Sequence, residues 1–130
     1  MEHRENYLTT LFESNLGVVS QVMSPDEQFQ NQTLRPILKF QNQLLLSLFI
    51  EYCKKQKNVF FKLPADQKIQ YITHALQRDL KFRSFIIGIV VGLFTLREFE
   101  IYAQNVSNCN KRISNLIIER LSSQLQLIVM

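Results

Sequence analysis

FIIGIVVGLF, residues 85–94, is the stretch on which the fold class turns. Its β-branched isoleucines and valines favour a strand, and so short an apolar run fits strand and buried helix alike. Two features point to helix. Gly88 and Gly92 are four apart, so on a helix both lie on one face, where another backbone has room to approach. Nothing elsewhere in the chain offers a convincing strand for it to pair with. The spacing therefore predicts a buried helix beginning near Asp79. The run is about half of the ~20 apolar residues that span a bilayer, so no membrane span is expected.

Immediately after it, Thr95-Leu96-Arg97-Glu98 has the form of a capping box, in which hydroxyl and carboxylate each satisfy the other's backbone amide. From there an apolar stripe runs through Leu96, Phe99, Ala103, Val106, Cys109, Ile113, Ile117, Leu121, Leu125 and Ile128 at spacings of three and four. One helix over 95–128 would be about 50 Å long, against a radius of gyration of roughly 14 Å for a compact chain of this size. Either that helix bends, or its end projects and buries its apolar residues on a partner. The sequence reading expects the second, a homodimer through the C-terminal helix.

Working back toward the N-terminus, Pro64 opens a helix with Ile69, Ile72, Ala75 and Leu76 on its inner face, and residues 58–63 form a short apolar connection. Residues 36–56 carry apolar side chains on more than one stripe, which marks a central helix. The preceding stretch, FQNQTLRPILKFQNQ (29–43), repeats the tetrapeptide Phe-Gln-Asn-Gln. Pro36 lacks an N–H, and its ring clashes with the carbonyl four residues back. A break is therefore expected at Thr33 or Leu34, which separates the two copies. Ser24-Pro25-Asp26-Glu27 is a helix start. Residues 2–22 form a first helix, with Leu8, Leu11, Phe12, Leu16, Val19 and Val22 on one stripe and Gly17 weakening it slightly.

The expectation is thus an all-α chain: a single helical domain over 1–130, with an N-terminal helix (2–22), a core bundle (24–94) and a long C-terminal helix (95–128). About five helices pack as an antiparallel bundle. Hydrophobic residues at 46%, charged residues at 20% and only three glycines and three prolines agree with long helices and short connections. Much of the polar surface is neutral amide, 13 Gln and 9 Asn.

The net charge of +4 is spread along the chain, whereas nucleic-acid binders gather such charge on one face. The densest group, Lys54-Lys55-Gln56-Lys57, falls where a helix C-terminus favours cations. Nucleic acid is accordingly an unlikely partner. Cys53 and Cys109 stand alone on predicted helices, without the spacing of a disulfide framework or zinc site. Residues 1–15 lack the basic-then-apolar order of a signal peptide, which makes the expected location cytoplasmic.

Catalytic chemistry finds little footing. His3 and His74 have no HxxE, HxH or ExxH companion. No GxSxG, GxxxxGK[ST] or GxGxxG motif occurs. Glu98 and Glu100 point to different helix faces. The expectation is no metal, no cofactor and no catalytic residue. What remains is a set of polar side chains at inward positions: Asn31, Arg35, Asn42, Arg83, Glu98 and Tyr102. Asp79 and Arg83 have ion-pair spacing, and Arg112 and Arg120 border the apolar stripe. Buried arginine and amide groups need partners. One reading is a structural network joining Arg35 or Arg83 to Glu98. The other is an inter-helix pocket for a small polar or anionic ligand with arginines as anchors.

The order F-Q-N-x-T-L-R-P-I-x-K-x-Q-N, Phe29 to Asn42, with Gly92-x-Phe94-Thr95 before the last helix, resembles a group of small bacterial proteins of uncharacterised function. The resemblance covers residues 26–126. Some of that group carry an automatic glyoxalase label. Glyoxalases of the vicinal-oxygen-chelate type take their metal ligands, histidine and glutamate, from strands in a β-α-β-β-β order. This chain has neither that order nor such a ligand set, so the activity is not expected here. The sequence reading is a non-enzymatic interaction or regulatory module that homodimerises, with small-ligand binding as the alternative.

Overall fold

The computed structural model describes residues 2–12 and 24–130. All regular structure among the described residues is helical, and none of it is strand. The elements are α1 (Glu2–Phe12), α2 (Pro25–Phe29), α3 (Arg35–Phe40), α4 (Asn42–Lys55), α5 (Ala65–Arg78), α6 (Leu80–Val91), α7 (Leu96–Gln104) and α8 (Val106–Ser122). Short 3-10 turns lie at Val59–Lys62 and Leu125–Leu127. The expected first helix is described as far as Phe12; its continuation toward residue 22 lies outside the described residues.

The ambiguous stretch is helical. Asp79 caps α6 by accepting from the Phe82 amide at 3.1 Å, and Ile86, Ile87 and Val90 enter the core. The approach of another backbone expected at the glycines is absent among the described residues: a Cβ built on Gly88 meets nothing within 4 Å, and one on Gly92 meets only carbonyls of its own helix, Gly88 O at 3.1 Å and Ile89 O at 3.8 Å. The packing of α6 is made by its β-branched side.

Pro36 does not break the chain at Thr33 or Leu34. Helix runs on from α2 into α3 through a π-type turn, Gln30–Leu34, in which the Arg35 amide donates to the Gln30 carbonyl. Widening one turn makes room for the proline ring without interrupting the helix. The interruption comes later, at Gln41 (φ −88°, ψ 6°), so the expected helix over 36–56 is two, α3 and α4. The second Phe-Gln-Asn-Gln copy straddles that kink.

The long C-terminal helix is also divided. Asn105 (φ −153°, ψ 64°) separates α7 from α8. Its short amide side chain competes with helical backbone bonding, which makes it a natural place to turn. Across the corner the Tyr102 hydroxyl donates to Asn110 Oδ1 at 2.6 Å. α8 then packs on α5 and α6. The chain end does not project, because Ile128 is fully buried within the same core as Ile113, Ile117 and Leu121. The bend resolves the length problem, while Leu127, Val129 and Met130 at the chain end stay exposed.

The core is continuous across α3 to α8. Phe49, Phe60, Leu34, Ile72, Ile86 and Ile117 are each fully enclosed. Phe49 meets Phe60 edge-on at 5.3 Å, and Tyr52 stacks on Phe82 at 4.1 Å. No helix among the described residues is long and apolar enough to cross a membrane.

Candidate functional site

The helical run α2–α3 lies beside α8, and polar side chains from both line the seam. Asn42, at the start of α4, ties the seam to the end of α8. Its Nδ2 donates to Gln124 Oε1 at 2.8 Å, and Gln124 Nε2 donates back to Asn42 Oδ1 at 2.9 Å. Arg120 Nη1 donates to the same Asn42 oxygen at 3.3 Å, and Gln124 Nε2 also reaches the Arg120 carbonyl at 3.0 Å. Asn42 therefore holds the Arg120 guanidinium by one edge, and among the described residues most of its donors are unspent.

Beside this knot is a cleft of about 210 Å³ lined by Arg35, Leu38, Leu116, Glu119, Arg120 and Gln124, with Ser123 at its edge. Arg35 is fixed from its own helix, Nε donating to Asn31 Oδ1 at 3.1 Å. Among the described residues neither Arg35 nor Arg120 is within ion-pair distance of a carboxylate. Burial and then the neighbouring Arg35 charge depress the Arg120 pKa below its ordinary value, while Glu119 partly offsets them. Two guanidinium groups thus share a concave site without a matched pair of anions.

Of the six polar residues expected to face inward, Asn31, Arg35 and Asn42 gather at or beside this cleft, Asn31 and Arg35 at exposed positions and not inside the core. The other three do not. Arg83 Nε donates to the Ser114 hydroxyl at 3.1 Å, and that hydroxyl reaches toward the Leu76 carbonyl. Glu98 closes the capping box with Thr95 and accepts from the Thr33 hydroxyl at 2.8 Å. Tyr102 serves the α7–α8 corner. The structural network joining Arg35 or Arg83 to Glu98 is absent, because each of the three already has a different nearer partner. The Asp79–Arg83 ion pair is absent too: the Tyr52 hydroxyl donates to Asp79 Oδ2 at 2.8 Å.

The sequence reading singled out Arg120 only as a neighbour of the apolar stripe, and it missed Gln124 and Glu119. Their spacing held one signal: Arg120 and Gln124 are a helical turn apart, as are Asn31 and Arg35, and each pair presents an amide next to a guanidinium.

Other reactive groups are occupied or inert. Cys53 is fully buried, and burial pushes its thiol pKa up to about 12, so it stays protonated and unreactive. The Cys109 pKa is raised first by burial and then by Asp26. No group of three His, Cys, Asp or Glu side chains is placed to hold a metal ion among the described residues. No protein-family model, curated protein or solved structure matches the chain.

Proposed function

We propose that this protein is a binding module for an anionic group, seated between the Arg35 and Arg120 guanidinium groups in the cleft where α3 meets α8. The observation that carries the reading is the pairing of two arginines in one concave site with no carboxylate at ion-pair distance among the described residues. Like charges held together are repulsive, and an anion between them removes the repulsion while gaining charge-assisted hydrogen bonds. The scaffold we infer is an antiparallel helical bundle. Supporting it, Tyr52 bonds Asp79 at the start of α6, while Leu48, one turn earlier on α4, lines the same cleft as Phe85, further along α6.

Isothermal titration with inorganic phosphate tests the site. Saturable binding that is lost in both Arg35→Gln and Arg120→Gln but kept in Arg83→Gln is the expected result. Equal binding by all four proteins would overturn the assignment.

A second reading, a homodimerising interaction module, draws on the front half of the last apolar stripe. Leu96, Phe99 and Val106 are 45%, 48% and 41% exposed. These side chains make α7 and the start of α8 a candidate contact, in addition to the chain end, where Leu127, Val129 and Met130 are exposed as well. Sedimentation of the native protein against Phe99→Asp tests it: a dimer that dissociates in the variant supports this reading, and a native monomer rejects it.

A further inference from the structure

The Arg35–Arg120 cleft does not end at Glu119. A second cleft, of about 330 Å³, lies further up α8 and shares Leu116 and Glu119 with the first as its wall. Lys111 and Arg112 line it, together with the amides of Gln30, Asn108 and Asn115. The two lie end to end along α8, meeting at Leu116 and Glu119, with a cationic pair in each, and together they are treated as one groove. Arg112 and Arg120 are eight residues apart on one helix, which is about 12 Å along the axis.

Three features of the groove restrict what fits it. The first is that Arg112 already takes a carboxylate: Asp26 Oδ2 stands 3.6 Å from Nη2, at a side chain 67% exposed. This contact demonstrates the chemistry of the subsite and is open enough to be displaced. The second is the lining between the ends. Side-chain amides both donate and accept, which suits the alternating N–H and C=O groups of a peptide. The third is Glu119, an acceptor in the middle of the groove. It repels a continuous polyanion such as a nucleic-acid or polyphosphate backbone but can take a peptide N–H.

We propose that this groove binds an extended acidic segment of a partner protein, with one carboxylate between Arg35 and Arg120 and a second at Lys111 and Arg112. At about 3.3 Å per residue in an extended chain, a ~12 Å separation places the two acidic residues three or four positions apart. The proposal rests on the anion-binding reading of the first cleft and adds to it the second cleft and the ligand class.

The test is fluorescence anisotropy with three labelled peptides on a Gly-Ser background: one glutamate, two glutamates four apart, and two adjacent glutamates. The peptide with glutamates four apart is expected to bind roughly tenfold or more tightly than either of the others, because the second contact is intramolecular. Lys111→Gln should remove that advantage without changing the single-glutamate affinity. Arg120→Gln should weaken all three peptides. Asp26→Asn, which frees Arg112 (3.0 Å from Gln30 Oε1 as well), should tighten the spaced peptide further. Equal affinity for spaced and single peptides, both still sensitive to Arg120→Gln, would overturn this proposal and leave the anion site standing. No binding of any peptide or of phosphate would overturn both. Tighter binding of a single-stranded oligothymidylate than of the spaced peptide would reject the peptide as the ligand.

Discussion

At the scale of single residues, most of the polar chemistry is structural, and Asn42 shows how the structural and functional parts meet. Its side chain makes reciprocal amide bonds to Gln124 and restrains Arg120. Asn42→Ala leaves partly buried donors and acceptors unpaired, at about 1–3 kcal/mol. Chemical denaturation should show that loss, and phosphate affinity should fall with it. Tyr52 and Asp79 give a pH signature. The Tyr52 pKa is raised by burial first and by its hydrogen bond to Asp79 second. The Asp79 pKa is lowered, chiefly by the Phe82 amide and then by Tyr52. A raised tyrosine pKa contributes stability below pH about 10 that is lost as pH rises further, and a lowered carboxyl pKa contributes stability above pH about 4 that is lost as pH falls. Melting temperature against pH should show both losses, and Tyr52→Phe should flatten the alkaline one. Asn31 beside Arg35 was legible from a spacing of four. Asn42 beside Gln124 was not, because those residues are 82 apart and meet only through tertiary packing.

At the scale of elements, the starts of helices were legible and the bends were not. Ser24, Asp79 and Thr95 each accept from the backbone amide three residues on. These signals are local, so sequence carries them. Pro36 marked real strain but not how it is relieved, since a break and a π turn satisfy the same missing N–H. Asn105 gave no stronger sign than the chain's other asparagines, and only the packing of α8 on α5 selects it. The attachment of α1 was equally hidden. Arg4 Nη2 donates to the Gly92 and Phe94 carbonyls at 2.9 and 2.8 Å, and Glu5 Oε1 accepts from the Leu96 amide at 2.9 Å. One charged pair thus holds the end of α6 and the start of α7, where a helix dipole favours each sign. Leu8 is the buried apolar side chain of α1 among those described, and Phe12 packs edge-on against Phe40 at 5.6 Å, so the clamp and these two contacts dock the helix together. Arg4→Ala should abolish hydrogen-exchange protection over residues 2–12 while leaving α5 and α8 protected. Protection unchanged in α1 would show that the clamp is dispensable.

At the scale of the whole molecule, the apolar pattern was enough to predict helices throughout and a core shared among them, but not which end of the last stripe is covered. Ile113, Ile117, Leu121 and Ile128 turn inward, while Leu96, Phe99 and Val106 stay partly open. Bending at Asn105 lets one continuous stripe serve two surfaces, and it leaves apolar surface open on α7 as well as at Leu127, Val129 and Met130. The same bend sets α8 against α2–α3 and brings together arginines that lie far apart in sequence, Arg35 with Arg120. The proposed anion site rests on this pair. The most direct test is a phosphate titration of the native protein followed by the arginine Nε–Hε resonances in two-dimensional NMR at fixed ionic strength. Saturable shifts at Arg35 and Arg120, with Arg83 unmoved on its serine partner, are the predicted result. Shifts that are absent, or that grow linearly and equally at every arginine, would contradict the account.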